Sequence, residues 1–194
     1  MHRRLGNMKI RLFLVLISFL SVSCTTLRPK HKVPSTSSSF HIKYLRADWN
    51  HWTDRDRNCI DTRGEILRSR SLGVVEMNKR GCKVKSGKWK DYYYPEFHTL
   101  TAKLDIDHLV PLKYAHDNGA AGWSKGQKEV FANDPENLVI TNRSYNRQKG
   151  AKGIDQWLPR HKEYACKYIR DWMKIKKKYH LIIKDQERAA VQDC

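Results

Sequence analysis

The chain has 194 residues, 40% of them hydrophobic, with 38 lysines and arginines against 20 aspartates and glutamates, a formal charge of +18. Such a length supports one ordinary domain plus a leader or tail and leaves no room here for a second full domain. The charge points to polyanionic partners, nucleic acid first and then anionic lipid headgroups or acidic wall polymers, and the five cysteines show no CxxC or other zinc-ribbon spacing.

Residues 1–23, "MHRRLGNMKIRLFLVLISFLSVS", combine a basic start, an apolar run from Leu12 to Leu20 and small Ser21 and Ser23 directly before Cys24. This pattern reads as an export signal, too short in its apolar part for a membrane-spanning helix of about 20 residues. Small residues before a cysteine predict a lipoprotein-type leader cleaved before Cys24, with Cys24 lipidated and anchoring the chain in the cell envelope. The box is imperfect, because Ser21 stands where leucine is usual and Leu20 lies one place further back. Plain secretion after ordinary cleavage is the alternative. Removing the leader takes away Arg3, Arg4, Lys9 and Arg11 and no acid, so the mature charge is +14. The segment 24–40, rich in Pro, Ser, Thr and Lys, reads as a flexible tether, and 41–194 as the folded domain.

Within that domain, residues 44–73 predict one or two helical segments with Asp61 or Thr62 as N-cap and Gly73 as a stop. "DRDRN" at 54–58, without the central glycine of a calcium loop, reads as a surface turn. "CKVKSGKWKDYYYP" alternates around Ser86-Gly87 and predicts a small hairpin turning there. "LDIDHLVPL" predicts a short strand running into a loop at Pro111, residues 124–132 a short helix, "ENLVITN" a second strand, and "NRSYNRQKG" a helix broken at Gly150. Amphipathic spacing from Glu163 to Leu181 predicts a long helix, followed by another in "IKDQERAAVQDC", so that helices occupy 161–194. Its lysines 174, 176, 177 and 178 read as a solvated face or a track for a nucleic-acid backbone. With Cys24 set apart, Cys59, Cys82, Cys166 and Cys194 form an even set. We expect Cys59 to pair with Cys82 and Cys166 with Cys194, because each pair brackets one local segment.

The chemistry gathers around Asp107-His108, Asn137 and Asn146. A neutral histidine can serve as general base near physiological pH, a carboxylate is a hard anionic ligand, and an asparagine carbonyl is a neutral oxygen ligand. Adjacent strand residues point to opposite faces, so Asp107 and His108 are expected where the strand bends into its loop. In their order and flanking phrases, "LDIDHLVPL", "WSKGQKEVFANDPENL", "NRSYNRQKG" and "WLP" resemble the HNH nucleases of the ββα-metal superfamily. More closely, they resemble the domain at the C-terminus of GmrSD restriction endonucleases, also found in exported bacterial proteins. The resemblance is strongest over 104–159 and reaches back weakly to about residue 48.

That resemblance implies an α+β fold: a ββα-metal core with flanking helices and a small hairpin, stapled by disulfides. It implies a metal-dependent endonuclease that hydrolyses DNA, or RNA, with little sequence specificity and leaves 5′-phosphate and 3′-hydroxyl ends. His108 is then the general base, Asp107 and Asn146 ligate Mg²⁺, Mn²⁺ or another divalent cation, and Asn137 completes the catalytic motif by tying the loop that orients the histidine. Arg147 and Lys149, next to Asn146, are expected on substrate phosphates. The alternative is a non-catalytic surface lipoprotein that keeps the nuclease fold and binds DNA or anionic envelope polymers.

Overall fold

A computed structural model describes residues 42–194; the expected leader, the Cys24 anchor and the tether to residue 40 lie outside the described residues. The elements run α1 (Thr62–Ser69), β1 (Glu76–Met77), β2 (Val84–Lys90), β3 (Phe97–Leu100), β4 (Leu104–His108), α2 (Leu112–Ala115), α3 (Lys125–Ala132), β5 (Leu138–Asn142), α4 (Arg143–Lys149), α5 (Lys162–Lys178) and α6 (Asp185–Gln192). This is the mixed α+β arrangement expected. Among the described residues no helix is long and apolar enough to cross a membrane.

Side-chain chemistry sets the helix starts. The Asp61 carboxylate accepts from Gly64 N at 2.8 Å to begin α1. Ser124 and Gln127 close a reciprocal capping box on α3, and Asn142 accepts from Ser144 N at the head of α4. α4 ends at Gly150, whose φ of +55° lies where a side chain would be strained. Residues 46–48 make only a single 3₁₀ turn, Arg46–Asp48, in place of the longer helical stretch expected before α1.

β1, β2 and β3 form one antiparallel sheet in that order, and β4 with β5 a second. The hairpin turn is not at Ser86-Gly87, which lies inside β2. The chain turns instead at residues 78–83 and 91–96, where Asn78 Oδ1 accepts from Cys82 N and Lys83 N, and Asp91 N donates to Glu96 O. Gly87 is there for Trp89: a Cβ at position 87 would lie 2.6 Å from the Trp89 ring, which is fully buried, and the register slips between Ser86 and Trp89.

β4 pairs with β5 without a break, from Leu104 opposite Asn142 to His108 opposite Leu138. Leu104, Ile106, Leu138 and Ile140 enter one apolar cluster with Ile66, Leu67 and Trp89. Val139 enters the larger cluster with Tyr93, Leu109, Tyr168, Ile169 and Trp172. The two-stranded sheet is therefore covered on both faces, and strict alternation sends Asp105 and Asp107 to the same face as Val139.

Both disulfides pair as expected, Cys59 with Cys82 and Cys166 with Cys194, each with Cα atoms 5.2 Å apart. The lysine run of α5 is in part the solvated face expected, since Lys174, Lys177 and Lys178 are exposed. Lys176 is fully buried on Glu187, Lys174 pairs with Glu136, and Lys178 with Asp134 and Glu136.

Candidate active site

β4, β5 and α4 form a ββα unit whose connecting loop is fastened by Asn137. This residue is fully buried; its Oδ1 accepts from Val110 N at 2.8 Å, its Nδ2 donates to Val110 O at 3.3 Å, and its carbonyl accepts from Leu109 N at 2.7 Å. Three bonds to the two residues after His108 fix the chain where it leaves β4.

His108 is the last residue of β4, and both it and Asp107 sit in regular pairing rather than in a bend. Its ring stacks on Trp52, centroids 5.7 Å apart, with the His51 ring at 6.3 Å. Nε2 lies 2.8 Å from Ala132 O, an acceptor only, so Nε2 carries the proton and Nδ1 the lone pair. Burial pushes the imidazole down to about 3. The Ala132 carbonyl opposes that shift, and the charges of Arg46 and Lys149 add to it. His108 is therefore neutral throughout the physiological range.

Asp107 is buried and its Oδ2 accepts from Tyr93 Oη at 2.7 Å and pairs with Lys149 Nζ at 2.8 Å. Burial pushes this carboxyl up, against the pull of Lys149, Tyr93 and the His108 amide. Burial likewise pushes the Lys149 ammonium down, against Asp107. Lys149 also donates to His108 O at 2.9 Å. Its side chain has no exposed surface, so the phosphate contact expected of it is corrected: the ammonium is turned inward and braces the end of β4. Arg147 is exposed on the same helix, away from the pocket lining.

Asn146 donates from Nδ2 to Asp105 Oδ2 at 3.1 Å, and Arg143 Nε holds the other Asp105 oxygen at 3.3 Å. Committing Nδ2 in this way leaves the Asn146 carbonyl as the atom for any cation. Asp107, His108 and Asn146 meet as walls of one pocket of about 280 Å³, together with Tyr44, Arg46, Lys113 and Gly150. Among the described residues no cluster of three or more His, Cys, Asp or Glu side chains is built to cage a metal. A magnesium-type ion asks for less, one or two protein oxygens with the rest water and phosphate. A carboxylate offers roughly four acceptor sites, and three donors engage Asp107, so Asp107 with the Asn146 carbonyl fits that requirement.

Asp105 and Tyr93 are contributors that the sequence reading does not name, and Lys149 takes a role other than the one expected. Asp105 shares the face of Asp107 by simple alternation, a signal present in "LDID". Lys149 stands one turn beyond Asn146 on the same helix face. Tyr93 comes from a remote turn and carried no signal.

Residues 61–190 match the family described as GmrSD restriction endonucleases, C-terminal domain. A protein of Arthroderma benhamiae, named only as an uncharacterized secreted protein, is 35% identical over 150 residues, covering 76% of this chain and 72% of that one. No solved structure matches the chain. The matched span includes β4, β5, α4 and all four candidate residues, Asp107, His108, Asn137 and Asn146, and the chain belongs to the family of GmrSD restriction endonuclease C-terminal domains.

Proposed function

We propose that this chain is an exported endonuclease that uses a divalent cation and His108 to hydrolyse phosphodiester bonds of DNA or RNA with little sequence specificity. Family membership supports a nuclease-related function. The observation that carries the finer reading is the state of His108: Nε2–H is spent on Ala132 O, and burial keeps the ring neutral, so Nδ1 has a free lone pair in the pocket shared with Asp107 and Asn146. Taking a proton from a water there makes the attacking oxygen while the fixed Nε2 bond holds the ring's orientation. Asp107 and the Asn146 carbonyl would hold Mg²⁺ or Mn²⁺, which when bound supplies charge neutralisation at the scissile phosphate. Asn137 holds the backbone just after the base, and Lys149 holds the His108 carbonyl and the Asp107 carboxylate. Two disulfides and the secreted relative support export, and the leader at 1–23 with Cys24 adds a lipid anchor to this reading.

Oxidised residues 25–194 incubated at low salt with supercoiled plasmid should nick it in Mg²⁺ or Mn²⁺ and not in EDTA. Asn146→Ala should need a higher metal concentration for half-maximal rate. Plasmid left intact in Mg²⁺, Mn²⁺ and Ca²⁺ but retained on the protein at low salt would sink the catalytic reading in favour of simple binding.

A further inference from the structure

The pocket of Asp107, His108 and Asn146 has a wall from outside the family-matched span 61–190: Tyr44, and Arg46 at the head of the 3₁₀ turn that precedes α1. This segment is anchored on both sides of Arg46. Upstream, His116 Nε2 lies 2.8 Å from Ile42 O and the Tyr44 ring meets His116 edge-on at 5.5 Å. Downstream, Trp49 is 1% exposed and packs edge-on against Phe131 at 5.7 Å. Trp52 then stacks on the His108 ring itself. Between these anchors the Arg46 guanidinium donates to His51 Nε2 at 3.3 Å. Arginine can only donate, so His51 accepts at Nε2 and gives its Nδ1–H to Trp49 O, 2.8 Å away. A neutral His51 thus aims the arginine without neutralising it.

The other cation on the pocket wall, Lys113, is paired with Asp117 at 2.6 Å, whereas among the described residues no carboxylate pairs with Arg46. An unpaired guanidinium, held at the mouth of a pocket that contains a base and two oxygen ligands, has the fork geometry that matches phosphate. We propose that Arg46 binds the non-bridging oxygens of the scissile phosphodiester and stabilises the charge that builds on them. This rests on the nuclease reading above. It adds that the active site is completed by a residue upstream of the matched domain.

The test measures Mg²⁺-dependent cleavage of a short labelled duplex by the parent, Arg46→Ala, Arg46→Lys and Arg80→Ala, the last an exposed arginine of the 78–83 turn that controls for lost net charge. Arg46→Ala should lower kcat/KM about 100-fold, mostly in kcat, as for loss of one transition-state donor. Arg46→Lys should recover part of that loss, Arg80→Ala should stay within about twofold of the parent, and melting temperatures should not move because both residues are exposed. If Arg46→Ala cleaves as well as Arg80→Ala, the Arg46 assignment is wrong and the nuclease reading stands. A parent that does not cleave removes both.

Discussion

Lys149 shows how far spacing alone carries at the scale of one residue. Three positions after Asn146 in a basic motif, it reads as a phosphate ligand, yet the i, i+3 geometry that puts it on the Asn146 face also points it at the covered sheet. There Asp107 needs a counter-charge more than the solvent needs a lysine. Lys149→Met leaves Asp107 buried with no cation and should destabilise the domain by about 3–5 kcal/mol, while Arg147→Ala should stay within about 0.5 kcal/mol. Urea unfolding of the two variants checks this, and equal midpoints would contradict the inward placement. The base and its loop were legible because His108, Asn137 and Asn146 come in a fixed order with fixed companions. Tyr93 and Arg46 were not, since contacts made across 14 or more residues leave no local pattern.

At the scale of elements, caps and stops mark α1, α3 and α4 in the sequence: Asp61, Ser124, Asn142 and Gly150 each do in the fold what their chemistry suggests. The β2 turn was misplaced because Ser-Gly is a turn signal, but here glycine clears space for Trp89. α5 and α6 are joined more firmly than amphipathicity implies. Glu187 is fully buried and receives Lys176 Nζ, Trp172 Nε1 at 2.7 Å and Tyr114 Oη at 3.0 Å, with Cys166–Cys194 closing the same pair of helices. Burial opposes its charge, but the bonds from Lys176, Lys184 N and Trp172 outweigh it and hold the carboxyl below the usual 4.5. A carboxyl lowered on folding contributes stability that is complete above 4.5 and is lost as pH falls below that value. The urea midpoint of the parent should therefore drop on acidification below 4.5, and Glu187→Gln, weaker at pH 7, should show a shallower drop. Parallel curves for the two proteins would remove Glu187 from the acid response. Reducing Cys166–Cys194, which spans 28 residues, should cost a further amount of about 3 kcal/mol.

Over the whole molecule, the excess of basic residues announces a polyanionic partner but not where it binds. The densest run, on α5, is largely consumed by Glu136, Asp134 and Glu187. Among the described residues, the cation on the pocket wall without a carboxylate partner is Arg46, in a sequence stretch with no charge run to advertise it. Plasmid affinity in EDTA should still fall at least about tenfold between 50 and 200 mM salt, because backbone contacts release counterions. Affinity that is flat with salt would argue against phosphate-led binding.

His108 is the base on which the proposed hydrolysis depends, and single-turnover cleavage by His108→Ala at saturating Mg²⁺, with Mn²⁺ affinity measured on the same preparation, tests that role most directly. The predicted result is a rate lower by about 10²–10⁴-fold with Mn²⁺ affinity close to the parent's, in a variant that still unfolds cooperatively. Cleavage by His108→Ala at the parent rate would contradict the assignment and send the search for the base elsewhere in the pocket.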